Sequence, residues 1–529
     1  MLTAAHGFRI PNRVKVIASA IALVGAAVCL YSMRQVDPDL YGYLEYGRLF
    51  TQGGGLTTHD PFAYTSATFS WTTFEYLAHI TLWSAYRYAG PIGLIALKCL
   101  LGGVALGGLY IAIRAMTSKP FVWVPTFFLC TSTLSRFFLF RPQLFTFAFF
   151  SLFVAVLFRY LLRRRAPLWI LPVTMLVWAN THGGFVAGLG AVGLVILLRA
   201  SENLDSRWEI RRIFAGTGRL WLTLTACFAV TFINPLGYRL WGYVLTELSH
   251  GTNRRFIAEW APPSLARDPW STVMLALIGT TLVLVGCLAR RVPRTIGPGV
   301  SYWVASCVPL ITMSCLSVRH IPLAAIWVGP VIALAGSRMS EVSPLGPLAR
   351  RLWFLARGFA LVPVCLTFGV VLANPLPEIR ADGHVLGRTN PCGAVSFLRQ
   401  RGVTANVYTP LWWGAYVTWA LYPAVHVSMD GRNISLYPDE MVVENMRFFS
   451  DQPNNLDMDA PLRYDTDLLL VPSDSPALKP LLVDTRWQSV YRDADAVLFL
   501  RRDARHVLAS SLIGPTAPTA ALACPTVLQ

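Results

Sequence analysis

The chain has 529 residues, 54% of them hydrophobic and 14% charged, with a mean hydropathy of +0.49. Soluble globular chains carry about 25% charged residues, so a soluble enzyme and a disordered chain are both excluded. The net charge of +17 calls for no nucleic acid, because basic residues collect in the cytoplasmic loops of membrane proteins.

Apolar runs predict about eleven membrane helices, at 16–32, 90–113, 120–135, 143–158, 167–179, 184–198, 220–233, 271–289, 299–316, 321–337 and 353–373. The first run lacks a clear small-x-small cleavage site and reads as an anchor rather than a signal peptide. Arg163-Arg164-Arg165, Arg211-Arg212, Arg290-Arg291 and Arg350-Arg351 all fall on the side of the N-terminus. That bias puts the N-terminus in the cytoplasm and everything after about residue 374 outside it, in the periplasm of a bacterium or the lumen of an organelle, with a bacterial inner membrane as the expected location. None of the predicted spans holds Asp or Glu. Ion-coupled transporters rely on carboxylates near the bilayer midplane, so the chemistry is expected at the outer surface.

The first outer loop, 33–89, is rich in candidate groups. It contains Asp37-Pro38-Asp39, then Glu45 and Arg48, then His59-Asp60-Pro61-Phe62, then Glu75 and His79. An Asp-x-Asp at a helix mouth suits a base or a divalent-cation ligand. Capping of the next helix is the simpler alternative. Glu45 with Arg48, and Glu75 with His79, equally suit surface helix pairs. Aromatic residues among carboxylates suit a sugar-binding surface.

A short outer turn carries Arg136 and Arg141, and a later one carries Arg319-His320. Outer arginines run against the inside bias. A lipid phosphate is one reason for them, and snorkelling to headgroups is another. His182 sits in a tight turn, with a structural or a chemical role open to it. Glu259 is the one carboxylate in an apolar stretch of the second long outer loop, 234–270, and a salt bridge with Arg254 or Arg255 would also account for it.

The tail changes composition. Strand-like runs at Ala405–Tyr408, Val425–Met429, Leu468–Val471 and Ala496–Leu500 alternate with helix-like stretches, predicting an α/β domain over 374–507. Residues 508–529 read as a disordered tail. The ten cysteines show no CxxC and no spacing of a disulfide framework.

Taken together, these features resemble the C-type membrane glycosyltransferases, the GT-C superfamily. Asp37-Pro38-Asp39-Leu40-Tyr41 with Arg48 resembles the acidic first loop of oligosaccharyltransferase catalytic subunits. Ile257-Ala258-Glu259 resembles their outer-loop motif ending in Glu. Trp412-Trp413-Gly414-Ala415-Tyr416 resembles their Trp-Trp-Asp-Tyr-Gly motif, with Gly414 in place of Asp, and Asp430-Gly431-Arg432 follows. The Asp-Pro-Asp-Leu, His-Asp-Pro-Phe and Glu-x-Leu pattern also resembles bacterial GT-C proteins of undefined acceptor.

The resemblance implies a polytopic helical domain over 1–373 and transfer from a polyprenyl-phosphate-linked sugar to a glycan, lipid or protein acceptor. It implies Asp37, Asp39 and Glu259 as catalytic residues. Donor or substrate binding falls to Arg48, His59, Asp60, Glu75, His79, Arg136, Arg141, His182, Arg319, His320, Trp412, Trp413 and Arg432. It further implies a divalent cation (Mg or Mn) at Asp39, although the turn Ser135–Gln143 carries arginines where those subunits have a second acidic motif. A flippase for lipid-linked glycans and a non-catalytic envelope scaffold are the competing readings.

Overall fold

The computed structural model describes residues 37–53, 56–71, 73–163, 165–203, 215–249, 258–289, 299–339, 384–385, 388–432, 436–450 and 456–504, with Gly25 and Leu512. Apart from those two residues, the spans expected at 16–32 and 353–373 and the tail at 508–529 lie outside this set.

The first outer loop holds two helical stretches, where the capping and helix-pair readings put them. Helix α1 is Leu40–Gln52 and α2 is Tyr76–Met116. The second joins two helices across a kink at Ala89-Gly90, and its later part begins at the residue 90 expected from sequence. Gly90 takes φ +57° there and Pro91 follows. A proline removes one backbone donor and crowds the preceding turn, and a glycine accepts the positive φ.

The bundle continues with α3 (Pro120–Ser135), α4 (Gln143–Arg163), α5 (Ile170–Trp178), α6 (Phe185–Ala200), α7 (Gly218–Val230), α8 (Arg239–Ser249) and α9 (Pro269–Ala289). Then come α10 (Val300–Ala305), α11 (Val308–Leu316) and α12 (Ile321–Met339). Four helices among the described residues are long and apolar enough to cross a membrane: Tyr76–Met116, Gln143–Arg163, Pro269–Cys287 and Val318–Met339.

The expected number of spans is therefore not reached among the described residues. The run at 167–179 forms only the short α5, whereas the run at 299–316 is one apolar helical stretch, Val300–Leu316, with a tight turn at Ser306-Cys307 joining α10 and α11. At that turn the Ser306 hydroxyl donates to the Trp303 carbonyl (2.6 Å) and accepts from Trp327 Nε1 (3.1 Å), just before Pro309. Small residues let the helices approach closely. A Cβ at Gly108 would lie 2.7 Å from the Ser151 backbone, and one at Gly329 would lie 2.3 Å from Cys130 Sγ.

The C-terminal α/β domain contains α13 (Cys392–Gln400), α14 (Leu411–Leu421), α15 (Asp439–Ser450) and α16 (Leu478–Val483). Its strands are β1 (His384–Val385), β2 (Arg388–Thr389), β3 (Ala405–Tyr408), β4 (Val425–Val427), β5 (Leu468–Pro472), β6 (Trp487–Arg492) and β7 (Ala496–Arg501). The main sheet runs β4-β3-β5-β7-β6, with β3 parallel to β4 and β5, and β7 antiparallel to β5 and β6. The β3–α14–β4 crossover is the unit expected of parallel strands. Only β6 among these five has no counterpart among the strand-like runs; most of its residues are partly exposed, so it lacks a continuous apolar signature.

The first loop closes the open edge of this sheet. Tyr64 N–H donates to the Val427 carbonyl, and Val427 N–H to the Phe62 carbonyl, both at 3.1 Å. Phe62, Tyr41, Tyr46 and Trp71 share one apolar core with Trp413, Tyr416 and Val427. The first loop and the C-terminal domain are thus packed as one body above the bundle. Cys392 is disulfide-bonded, so a disulfide is present after all, in the domain with the α/β order.

Candidate active site

The Asp-Pro-Asp turn divides its labour. The Asp37 carboxylate accepts the Asp39 N–H at 2.9 Å, and its carbonyl accepts the Leu40 N–H at 3.0 Å. Asp39 occupies the cap position of α1 but makes no side-chain capping bond. Asp37 therefore shapes the turn, while the Asp39 carboxylate is left to face the space beneath it.

Both acids meet Arg141, held in the turn between α3 and α4 by its own N–H bond to the Leu139 carbonyl (2.9 Å). The guanidinium pairs with the Asp37 carboxylate through Nε, reaches Glu259 Oε1 at 2.7 Å, and lies 3.8 Å from Asp39 Oδ2. Glu259 comes from a single 3-10 turn, Ala258–Trp260. That turn is fastened by Ser317 Oγ donating to the Glu259 carbonyl and Val318 N–H donating to the Ala261 carbonyl, each at 3.0 Å.

Burial pushes Asp39 up to about 8, and the neighbouring Asp37 charge adds to the rise, against the pull of Arg141. Burial also raises Asp37, opposed chiefly by Arg141. Burial works against the charge on Arg141 as well, but Glu259, Asp37 and Asp39 outweigh it, so the arginine stays charged.

These residues fit a divalent cation poorly. The three acids converge on a guanidinium rather than on a cage, and no group of three His, Cys, Asp or Glu side chains among the described residues is disposed to hold a metal.

His182 stands opposite. Trp178 Nε1 donates to Thr146 Oγ1 (2.8 Å), leaving the threonine proton for His182 Nδ1 (2.8 Å), which also accepts the Gly184 N–H (3.0 Å). Burial, with Arg319 and Arg141 nearby, lowers its pKa to about 3, so the ring is neutral. Its Nε2 lies 3.5 Å from Arg319 Nη2 and 4.0 Å from Glu75 Oε1. Arg319 lies over the Trp260 ring, 4.4 Å from its centroid. The turn bearing His182 is clasped to the next outer turn, since Asn180 Nδ2 donates to the Ile233 carbonyl (2.8 Å) and Asn234 Nδ2 to Asn180 Oδ1 (3.0 Å).

A cavity of about 760 Å³ joins these groups. Its lining includes Asp39, Glu75, His79, Arg141, His182, Glu259, Arg319, His320 and Arg432. Below them it is apolar, with Phe147, Phe150, Leu194, Leu197, Leu310, Met313 and Leu323.

The other expected residues stand elsewhere. Asp37 is fully buried behind Arg141. Arg48 forms a fork with Glu45, whose carboxylate is buried, so the pair is partly buried rather than a surface pair. His59 is exposed and bonds Thr58. Arg136 is half-buried and outside the cavity lining. Trp412 packs on Phe449, and Trp413 is buried in the core shared with the first loop. Asp60 is buried and holds Arg432 at 2.7 Å, while Asp430 holds it at 2.8 Å from the other side. The Arg432 guanidinium also lies 4.6 Å from the Trp71 ring centroid, so it ties the first loop to the domain.

Tyr43, Tyr46, Trp71, Gln143, Thr146 and Gly431 also belong to the lining and were not singled out from sequence. Gly431 has a specific reason: a Cβ there would lie 2.1 Å from Asp39 Oδ1. Only its place between Asp430 and Arg432 hinted at it.

No protein-family model matches the chain, and no curated protein matches its sequence. Solved structures do match. The oligosaccharyltransferase of Archaeoglobus fulgidus, in its apo form, superposes with a TM-score of 0.55 at 10% identity, over 87% of this chain and 70% of that one. ArnT from Cupriavidus metallidurans, bound to undecaprenyl phosphate, gives 0.51 at 14% identity, over 96% of this chain and 100% of that one. The mycobacterial arabinofuranosyltransferase AftD gives 0.53 at 13% identity, over 93% of this chain and 42% of that one.

The chain has the GT-C fold.

In this GT-C fold, apolar helices make the chain a multi-pass membrane protein, and the cavity lies where the bundle meets the first loop and the C-terminal domain.

Proposed function

We infer that the protein transfers a glycosyl group from a polyprenyl-phosphate-linked donor to an acceptor hydroxyl or amine at the extracytoplasmic face of the membrane. One observation carries this reading: the cavity has an apolar floor within the bundle and a rim holding Asp39 together with Arg141, His182 and Arg319. The floor suits a polyprenyl tail, and the guanidinium forks suit its phosphate. The structural neighbour ArnT is described as bound to undecaprenyl phosphate, which supports the donor class. The basic runs on the N-terminal side and the disulfide at Cys392 support an oxidising compartment for the C-terminal domain.

The reaction needs an acceptor X–H attacking the anomeric carbon while the bond from that carbon to the phosphate oxygen breaks. The proton passes to Asp39 and the polyprenyl phosphate leaves with its charge met by Arg319 and Arg141. Asp37 and Glu259 hold Arg141, acting as positioning residues. No step is assigned to a metal, because the acids that would bind one are engaged by Arg141.

The test is lipid mass spectrometry on detergent-purified protein, comparing wild type with Arg319→Ala. A polyprenyl-phosphate sugar that co-purifies with wild type and is lost from the variant supports the reading. Identical bulk phospholipid in both, with no polyprenyl lipid added back binding to wild type, refutes it.

A further inference from the structure

Residues 430–432 of the C-terminal domain are bolted down on both sides of Gly431. The Asp430 carboxylate accepts Arg432 Nε (2.8 and 3.0 Å), Arg432 Nη2 (2.8 Å) and the Arg432 N–H (3.1 Å). Each of the two side chains then reaches the first outer loop. Arg432 Nη1 donates to Asp60 Oδ1 (2.7 Å), and the Tyr46 hydroxyl of α1 donates to Asp430 Oδ2 (3.3 Å). Asp60 is itself fixed, since its carboxylate accepts the Phe62 N–H (3.0 Å) and the Ser66 hydroxyl (2.6 Å). Tyr46, Phe62 and Trp71 surround the guanidinium, with ring centroids 5.3, 5.1 and 4.6 Å from it.

Arg432 touches the cavity, but its N–H groups are turned to Asp430, Asp60 and the Tyr437 hydroxyl. Asp60 lies outside the lining. Stability is a poor reason for such a knot. All three side chains are buried, so their charges lose hydration, and apolar residues of similar volume often stabilise a fold as well or better. What the knot supplies is a single geometry. It closes around Gly431, whose lack of a Cβ lets the backbone stand directly against Asp39 Oδ1.

We propose that Arg432 is a positioning residue for Asp39: by holding Asp60 and Asp430 together it seats Gly431 against the Asp39 carboxylate and sets where the base stands. The inference rests on the reading above of Asp39 as the proton acceptor in transfer from a lipid-linked donor. The first loop, which carries Asp39, and the C-terminal domain, which carries Gly431, are then coupled through one guanidinium.

The test measures release of undecaprenyl phosphate from three probes by the full-length protein in nanodiscs: an undecaprenyl-phosphate-linked hexose, pentose and N-acetylhexosamine. Binding of undecaprenyl phosphate counts the folded sites. Arg432→Lys keeps the charge and loses the fork. Asp60→Asn loosens the knot from a position outside the cavity. Both should lower kcat per folded site about tenfold, as a misplaced catalytic group does, with KM within about twofold of wild type. Neither should lower turnover further in an Asp39→Asn background, because the knot acts through that carboxylate. An unchanged kcat, a raised KM with kcat intact, or the same loss without Asp39 overturns the positioning role alone. Failure of wild type to bind undecaprenyl phosphate, or to turn over any of the three probes, overturns the donor reading and this inference with it.

Discussion

Replacing Arg141 by methionine tests the electrostatic design of the site. The substitution keeps most of the apolar stem and deletes the one charge that, among the described residues, Asp37, Asp39 and Glu259 share. Asp37 has no exposed side-chain surface, so its carboxylate has no water to turn to. Breaking a buried ion pair from one side costs about 3–5 kcal/mol. With an unfolding entropy of about 2.1 cal/mol/K per residue over 529 residues, that corresponds to a Tm lower by about 3–5 °C.

The pH dependence of this deficit has a definite sign. Burial already holds Asp37 and Asp39 above their ordinary value of 3.8, and losing the cation raises them further. A folded-state pKa above the unfolded one favours the folded protein at low pH and disfavours it as pH rises. The deficit should therefore be small near pH 5 and grow towards pH 8 and beyond. The assay is thermal unfolding in nanodiscs from pH 5 to 9, on wild type, Arg141→Met and Arg141→Met with Asp37→Asn. The double variant should recover most of the loss. A deficit that is independent of pH, or unaffected by Asp37→Asn, refutes the account of Arg141 as the shared counter-charge.

Asp39 must be ionised to accept a proton, and its pKa stands at about 8 in the free protein. The kcat/KM for the lipid-linked donor should thus rise with pH to a plateau above about 8, and Asp39→Asn should lower turnover by about 100-fold or more; a flat profile between pH 6 and 9, or an active variant, counts against Asp39 as the base. Gly431→Ala would put a Cβ 2.1 Å from Asp39 Oδ1, so it should cut turnover by about tenfold or more, since small misplacements of a catalytic group are costly. Its lipid binding and Tm should stay near wild type, and full activity would show that the close approach is dispensable.

Composition and local pattern alone determined the membrane class, the α/β order of the tail and most of the polar rim. Those properties are written in runs of apolar residues, in period-two strands and in charges standing where the inside bias does not put them. The acidic pair at 37 and 39 was legible too, but not its division into a turn-former and a cavity-facing acid, because both carry the same side chain and differ only in which backbone N–H reaches them. The convergence of Asp37, Asp39 and Glu259 on Arg141 joins residues more than a hundred positions apart, so no spacing rule contains it. The same holds for Asp60 and Arg432, whose buried pair ties the first loop to the C-terminal domain while Arg432 also lines the cavity. Helix length was the other blind point: hydropathy locates apolar segments, but it shows neither the helix that leads from Tyr76 into the kink at Gly90-Pro91 nor the shortness of the helix in the run at 167–179. Long-range packing chose among partners that the local sequence left equally possible.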